Sequence, residues 1–279
     1  MRDGDKLWIL SHHGIFSLND IFIIALAGFT TGITTVLFGF GGGFVVLPFV
    51  YQLLHRQPEM MENALHVAIA TSTAVMIFNA GWVSYRNWRT GSLPAQACVP
   101  LVWFIAIGAV VGSWLAGFLS EEQIRVLFIV YMLVTIGDCL LRKGFLTGSV
   151  QHRLSLATVS GGGIVIGLVA ALLGVGGSVM TVPLLRRHGY AMRECISAAN
   201  PLSLPVAICG AVIYAVSGWQ KFLGSSFLGF INLKIMAVLI LTGWAGIRFS
   251  RRMIPPVPDV WHARIYVMLL CAVLLAMLL

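Results

Sequence analysis

Residues 28–48 and 163–183 carry one pattern written twice. Gly28, Gly32, Gly39, Gly41, Gly42 and Pro48 match Gly163, Gly167, Gly174, Gly176, Gly177 and Pro183, each pair 135 residues apart without a gap, and Leu37 matches Leu172. The stretches are apolar, and glycine interrupts each at the same place. Inside a bilayer an unwound backbone is tolerated only where protein buries it or it lines a wet cavity. Paired interruptions in two halves of an apolar chain are the best sequence pointer to a transporter's binding site.

Hydrophobic residues fill 58% of the 279 positions and charged residues 10%, with a mean hydropathy of +0.92. Soluble domains carry about 25% charged residues, so this is the composition of a chain that crosses a membrane repeatedly. A span takes roughly 20 apolar residues. Apolar runs fall at 19–38, 44–54, 64–85, 93–118, 123–141, 156–173, 178–185, 194–216, 226–247 and 262–279. The two runs that follow the glycine clusters are too short to cross as ordinary helices. One membrane domain, 1–279, is expected, with no room for a soluble enzyme module. The first run is too long for a signal peptide and lacks a small-residue cleavage site, so it is expected to be retained.

The net charge of +8 does not point to nucleic acid. Lys and Arg sit in short loops, not on one face or in a tail. Cys98, Cys139, Cys195, Cys209 and Cys271 lie in or beside apolar runs without CxxC spacing. They read as small buried hydrophobes, and neither metal site nor cofactor is expected.

Loop charge selects a topology. Eight simple alternating spans divide Lys and Arg almost evenly. Letting each broken region dip and return gathers Arg86, Arg89, Arg142, Lys143, Arg153, Arg186, Arg187, Arg193, Arg248, Arg251, Arg252 and Arg264 on one face. Arg2, Lys6, Arg56, Arg125 and Lys221 remain on the other. The positive-inside rule then places both termini outside the cytoplasm. The expected fold is all-α and polytopic: two inverted repeats, each a glycine-broken re-entrant hairpin plus about three full transmembrane helices. Repeat one covers 18–141, a cytoplasmic linker 142–155, and repeat two 156–279.

The first break reads Gly39-Phe40-Gly41-Gly42-Gly43 and runs on to Pro48; the second reads Gly174-Val175-Gly176-Gly177-Ser178 and runs through Thr181 to Pro183. Glycine clusters favour chain reversal, and a proline fits the first turns of a new helix. Helix starts present free N–H groups and a partial positive charge that suit an anion. A Walker loop is excluded because no GK[ST] follows, and GxGxxG would need a βαβ context. At Gly28/Gly32, Gly163/Gly167 and Gly108/Gly112 the small-xxx-small spacing predicts close helix packing instead.

The run after the first break carries Thr71, Ser72, Thr73 and Asn79; the matching run carries Ser197, Asn200, Pro201, Ser203 and Pro205. An offset of 129 superposes Thr71 on Asn200, Ser72 on Pro201, Gly81 on Gly210 and Tyr85 on Tyr214. A paired polar position suits a central site. Interhelical hydrogen bonding, at about 0.6–2 kcal/mol per contact, is the competing account.

Asp138 is the clear intramembrane acid and His66 sits early in a span, so these two are the candidates for ion coupling, protons included. Arg142 lies one turn beyond Asp138 and suits a local pair, while His66 suits the interface. Lys234 starts its span and snorkels, and Asp20 and Arg125 read as helix-end residues. A serine enzyme would need Ser178 with His188 or His262 as base. Both histidines fall in charged loop sequence, so no enzyme is expected.

GFGGGFVVLP and GVGGSVMTVP, each followed by a polar-containing run (AIATS, SAANP), resemble the paired signature of the TauE/SafE family of sulfite and organosulfonate exporters, and the resemblance covers nearly the whole chain. It implies a multi-pass inner-membrane secondary transporter of small, often sulfur-containing anions, by alternating access. An anion channel is the alternative. The expected substrate-binding set is Gly39, Gly41, Gly42, Gly43, Pro48, Thr71, Ser72, Gly174, Gly176, Gly177, Ser178, Thr181, Pro183 and Asn200. The expected partners are the anion and the bilayer; the sequence assigns neither coupling ion nor oligomeric state. Ser178 and Asn200-Pro201 depart from strict symmetry between the halves.

Overall fold

The computed structural model describes residues 18–57, 60–141, 145, 152, 154–219, 225–255 and 257–278. Arg2, Lys6, Arg142, Lys143, Arg153, Lys221 and most of the linker at 142–155 lie outside the described residues. Among the described residues ten α-helices can be bounded, in order: α1 Leu18–Phe38, α2 Gly43–His55, α3 Ala64–Arg89, α4 Ala95–Ala116, α5 Glu121–Leu141, α6 Gly163–Leu173, α7 Ser178–Arg187, α8 Met192–Ser217, α9 Leu233–Met253 and α10 Asp259–Leu278. A π-turn, Thr158–Gly162, leads into α6, and a two-stranded hairpin, β1 Phe227–Leu228 and β2 Ile231–Asn232, precedes α9.

Among the described residues seven helices are long and apolar enough to cross a membrane: α1, α3, α4, α5, α8, α9 and α10. The protein is therefore an all-α, multi-pass membrane protein. The arm before the first break, α1, has 21 residues and reaches about 31 Å, enough to cross alone. After the breaks, α2 and α7 have only 13 and 10 residues, as their short apolar runs predict. The apolar run at 226–247 is not one helix from its start. Its first residues form the hairpin, and α9 begins only at Leu233, where the Asn232 carboxamide accepts from the Lys234 and Ile235 amides at 3.1 Å each. Asn is favoured at this capping position because its side chain satisfies otherwise orphaned N–H groups.

Glycine sets how the helices pair. A Cβ at Gly32 would overlap the Gly243 carbonyl, and one at Gly246 would overlap the Phe29 carbonyl, so α1 lies directly on α9. Likewise α4 lies on α6, with Gly108 against the Ile164 carbonyl, Gly112 against Leu168 and Gly167 against Ile105. Contacts advance in the same direction along both partners, so each pair is parallel. These glycines pack helices, as their spacing predicts. The pairing is reciprocal: the first helix of each half lies against a later helix of the other.

The two longest helices, α3 and α8, pack against each other and are the most buried of the seven span-length helices. Gly210 lets α8 approach Thr73. Contacts at the ends fix the short helices. At one end Gln52 of α2 donates to the Ala276 carbonyl of α10, and Arg125 donates to the Met277 carbonyl at 3.1–3.2 Å. At the other, Arg186 of α7 pairs with Asp259, and the His152 amide donates to the His188 carbonyl at 2.8 Å.

Candidate functional site

The first break follows Phe38. Gly39, Gly41 and Gly42 all have positive φ. Gly42, at φ 101° and ψ −31°, caps α2 in a region open essentially to glycine alone. A Cβ there would also stand 3.0 Å from the Thr31 methyl and 3.1 Å from the Asn79 side-chain nitrogen. The second break ends α6 at Gly174 in the left-handed conformation, φ 66°. Gly176 again has positive φ, but Gly177 returns to φ −70° before α7 starts at Ser178.

The two breaks meet at one side chain. Ideal Cβ positions at Gly41, Gly43 and Gly176 all fall within 3.2 Å of Met76, in the middle of α3. A Cβ at Gly43 would lie 3.3 Å from the Gly174 carbonyl, so the first break abuts the second directly. The long helices brace the breaks. Ser72 Oγ donates to the Gly174 carbonyl at 3.2 Å, and Asn200 Nδ2 donates to the Thr35 carbonyl, at the end of α1, at 3.2 Å. Each long helix therefore carries one side chain onto the other half's broken segment.

Thr71 does otherwise: its hydroxyl accepts from the Asn232 amide at 3.1 Å, tying α3 to the start of α9. A helix turns about 100° per residue, so the neighbour of a site residue faces elsewhere. Ser72, Met76 and Asn79, spaced i, i+4 and i+7, share the face toward the breaks. Ser72, not Thr71, is thus the partner of Asn200 across the centre. Pro48 and Pro183 sit at the sixth residue of α2 and α7. Lacking an N–H, Pro183 leaves the Val179 carbonyl short of its helical donor. The Tyr266 hydroxyl supplies one at 3.3 Å. Thr181 lies inside α7, its hydroxyl turned back to the Ser178 carbonyl at 3.3 Å.

Four buried side-chain atoms near the breaks lack a hydrogen-bond partner among the described residues: Thr31 Oγ1, Asn79 Nδ2, Ser178 Oγ and Asn200 Oδ1. Leaving such a group unpaired costs about 1–3 kcal/mol. The first amides of α2 and α7 start at the same place, without intrahelical acceptors. Hydroxyls, a carboxamide N–H and two positive helix ends together suit a polar, negatively charged guest.

The structure does not bring Asp138 or His66 to this centre. Asp138 pairs with Arg187, the last residue of α7 and about 13 Å along the helix from Ser178. The local partner expected from spacing, Arg142, lies outside the described residues. His66 Nδ1 is 3.2 Å from Glu121, whose carboxylate also accepts from the Leu65 amide at 2.9 Å and so caps the start of α3. His262 is not in a loop: it lies in the first turn of α10, and its Nε2 donates to the Leu37 carbonyl at the end of α1. His188 has its Nδ1 2.8 Å from the Leu184 carbonyl. Neither histidine has Ser178 as a hydrogen-bond partner.

A cavity of about 350 Å³ opens beside the first break, lined by Val36, Asn87, Arg193, Ile196, Ser197 and Arg251 among others. The Ile196 carbonyl on its wall is 3.0 Å from a Cβ placed on Gly39. Sequence reasoning missed Met76, Thr31 and Thr35 as site residues and left Asn79 unassigned. The helical spacing of Ser72, Met76 and Asn79 was the available signal.

Seven span-length helices around two joined breaks define a multi-pass membrane protein with a central, buried polar site. The sequence pattern of the Sulfite exporter TauE/SafE family matches residues 24–277, so the chain belongs to that family. It is similar to a probable membrane transporter protein of Haemophilus influenzae, 28% identical over 231 residues, 81% of this chain and 84% of that one. A probable membrane transporter protein of Methanocaldococcus jannaschii is 22% identical over 246 residues, 84% and 87% of the two chains. The probable membrane transporter protein YunE of Bacillus subtilis is 22% identical over 227 residues, 72% and 80%. No solved structure matches. The protein is a membrane transporter.

Proposed function

We propose that the protein is a secondary transporter of a small anion, a sulfur oxyanion such as sulfite or an organosulfonate, moved across the bacterial inner membrane by alternating access. The meeting of both breaks at Met76, with three unpartnered donors around them (Thr31 Oγ1, Asn79 Nδ2 and Ser178 Oγ), carries this reading. The family's description supports the substrate class. Two converging helix starts favour an anion over a cation.

In this reading α1–α2 and α6–α7 are oppositely oriented re-entrant pairs, and 18–141 and 156–279 are inverted copies. The reciprocal glycine packing supports it, as do Gly108 and Gly243, which extend the 135-residue repeat into the packing partners. Gln52 at Ala276 and Arg186 at Asp259, at opposite ends of α10, support opposite orientation of the two short helices. The centre is shut in this conformation, with Met76 filling the space between the breaks. Its unbranched thioether, with three rotatable bonds, swings aside more readily than a branched side chain would. Thr31, Asn79 and Ser178 donate to the anion alongside the first amides of α2 and α7. Asn87, Arg193 and Arg251 line its approach on the side of the first break. A coupling role for Asp138 or His66 would act from the ends of the pathway.

Purified protein in vesicles should take up labelled sulfite or an organosulfonate saturably, and Asn79→Leu should lower that uptake by about 10-fold, the loss expected for one good hydrogen bond to a charged group. If no member of a sulfur-oxyanion panel moves, the substrate class is wrong.

A further inference from the structure

We propose that the arginine-rich cavity between α3 and α9 is a binding site for the phosphate of an anionic phospholipid headgroup. Of the residues that line this cavity of about 340 Å³, four are arginines, Arg86, Arg248, Arg251 and Arg252, and two are tryptophans, Trp82 and Trp244. Among the described residues no carboxylate lines it. Four guanidinium groups crowded without an acid repel one another, and an anion among them removes that cost. Guanidinium is the side chain best shaped for phosphate, through paired N–H donors.

The site is partly built. Arg251 donates to the Asn87 carboxamide oxygen at 3.0 Å, and its Nε is buried without a partner among the described residues. Arg248 lies over the Trp244 ring, 5.7 Å from its centroid, which orients the guanidinium. Trp82 and Trp244 are 42% and 47% exposed, so their rings face the surroundings of the bundle. Tryptophan concentrates where the bilayer meets water, at headgroup depth. Basic pockets between transmembrane helices at that depth hold anionic headgroups. The phosphate chemistry alone would also fit free phosphate. The outward tryptophans, which meet acyl-chain and glycerol surface, commit the site to a lipid.

The test uses the full chain in detergent, with phosphatidylglycerol, phosphatidylcholine and inorganic phosphate as probes. Lipid retention is read by native mass spectrometry and stabilisation by thermal melting. Phosphatidylglycerol should be retained and should raise the melting temperature, with phosphatidylcholine far weaker. The exposed double variant Arg248→Gln/Arg252→Gln should weaken phosphatidylglycerol binding by about 10-fold or more. Arg56→Gln, which removes one charge at the opposite end of the bundle, should leave it unchanged. Equal retention of the two lipids, or equal loss in Arg56→Gln, overturns the proposal. Stabilisation by inorganic phosphate with the same arginine dependence, without retained phosphatidylglycerol, overturns the lipid assignment. The measurement involves no transported solute, so it stands or fails apart from the transport reading.

Discussion

The two glycine breaks are copies in sequence but not in conformation. In the first, Gly39, Gly41 and Gly42 all take positive φ, and Gly42 stands against Thr31 and Asn79. In the second only Gly174 and Gly176 do, and Gly177, the match of Gly42, has ordinary right-handed backbone. The next positions differ for a visible reason. A side chain at Gly43 would press on Met76 and on the Gly174 carbonyl, whereas its match, Ser178, is accommodated with its hydroxyl unpartnered. At this position the first break is the constrained one and the second has room for a functional group, while Gly174 and Gly176 of the second are packed as tightly as any glycine of the first, 2.5 Å from Ile69 and 2.6 Å from Met76. The glycine pattern recurs in the sequence, and the packing of one stretch against the other decides which of its positions require glycine.

The largest effect is expected at the one side chain both breaks share. Met76→Ala leaves a cavity against Gly41, Gly43 and Gly176 and should cost about 2–5 kcal/mol, read as a lower melting temperature in detergent. Met76→Leu, close in volume, should cost less than about 1.5 kcal/mol. If Met76→Ala melts like the parent, the breaks do not rest on this residue.

A second comparison separates conformation from composition. Gly42→Ala and Gly177→Ala make the same change at matched positions. The first forces alanine into a region that costs about 1–3 kcal/mol, against neighbours already at 3.0–3.1 Å. The second keeps a favourable φ and meets the Leu202 carbonyl at 3.3 Å. Gly42→Ala should melt lower and transport less. Equal melting of the two variants would mean that the breaks are conformationally alike after all.

Swapping the next residues sharpens the same point. Gly43→Ser should overpack by about 1–3 kcal/mol. Ser178→Gly should cost only about 0.5–1 kcal/mol, the helix penalty of glycine, while removing one hydroxyl from the proposed anion site. Its signature is a raised KM for uptake with near-parental melting. A parental KM in Ser178→Gly removes that hydroxyl from the site.

Much of this could be read from the chain. The duplicated glycines located both breaks, and small-xxx-small spacing identified the packing faces because close approach requires residues without side chains. What failed was rotational phase. Thr71 and Ser72 are adjacent, yet one faces Asn232 and the other Gly174, and an offset between two runs of similar polarity cannot fix a 100° turn. Met76 was invisible for a different reason: an apolar residue in an apolar run carries no mark that two distant segments converge on it. His262 looked like loop because charged residues surround it, whereas Asp259 begins a helix there by binding Arg186 and the Met192 amide.

A single lost hydrogen bond tests how the second break is held. The Tyr266 ring packs on Phe40 of the first break, with centroids 5.2 Å apart, while its hydroxyl serves the Val179 carbonyl freed by Pro183 in the second. Tyr266→Phe keeps the ring and removes only the donor. One hydrogen bond is worth about 0.5–1.5 kcal/mol, a fall of roughly 2–4 °C per kcal/mol in melting temperature for a domain of about 200 residues. The loss should be local. Amide exchange should quicken in α7 and not in α2, because the aromatic contact to the first break persists. Equal quickening in both helices would mean that the ring, not the hydroxyl, carries the restraint, and that the two short helices move as one body.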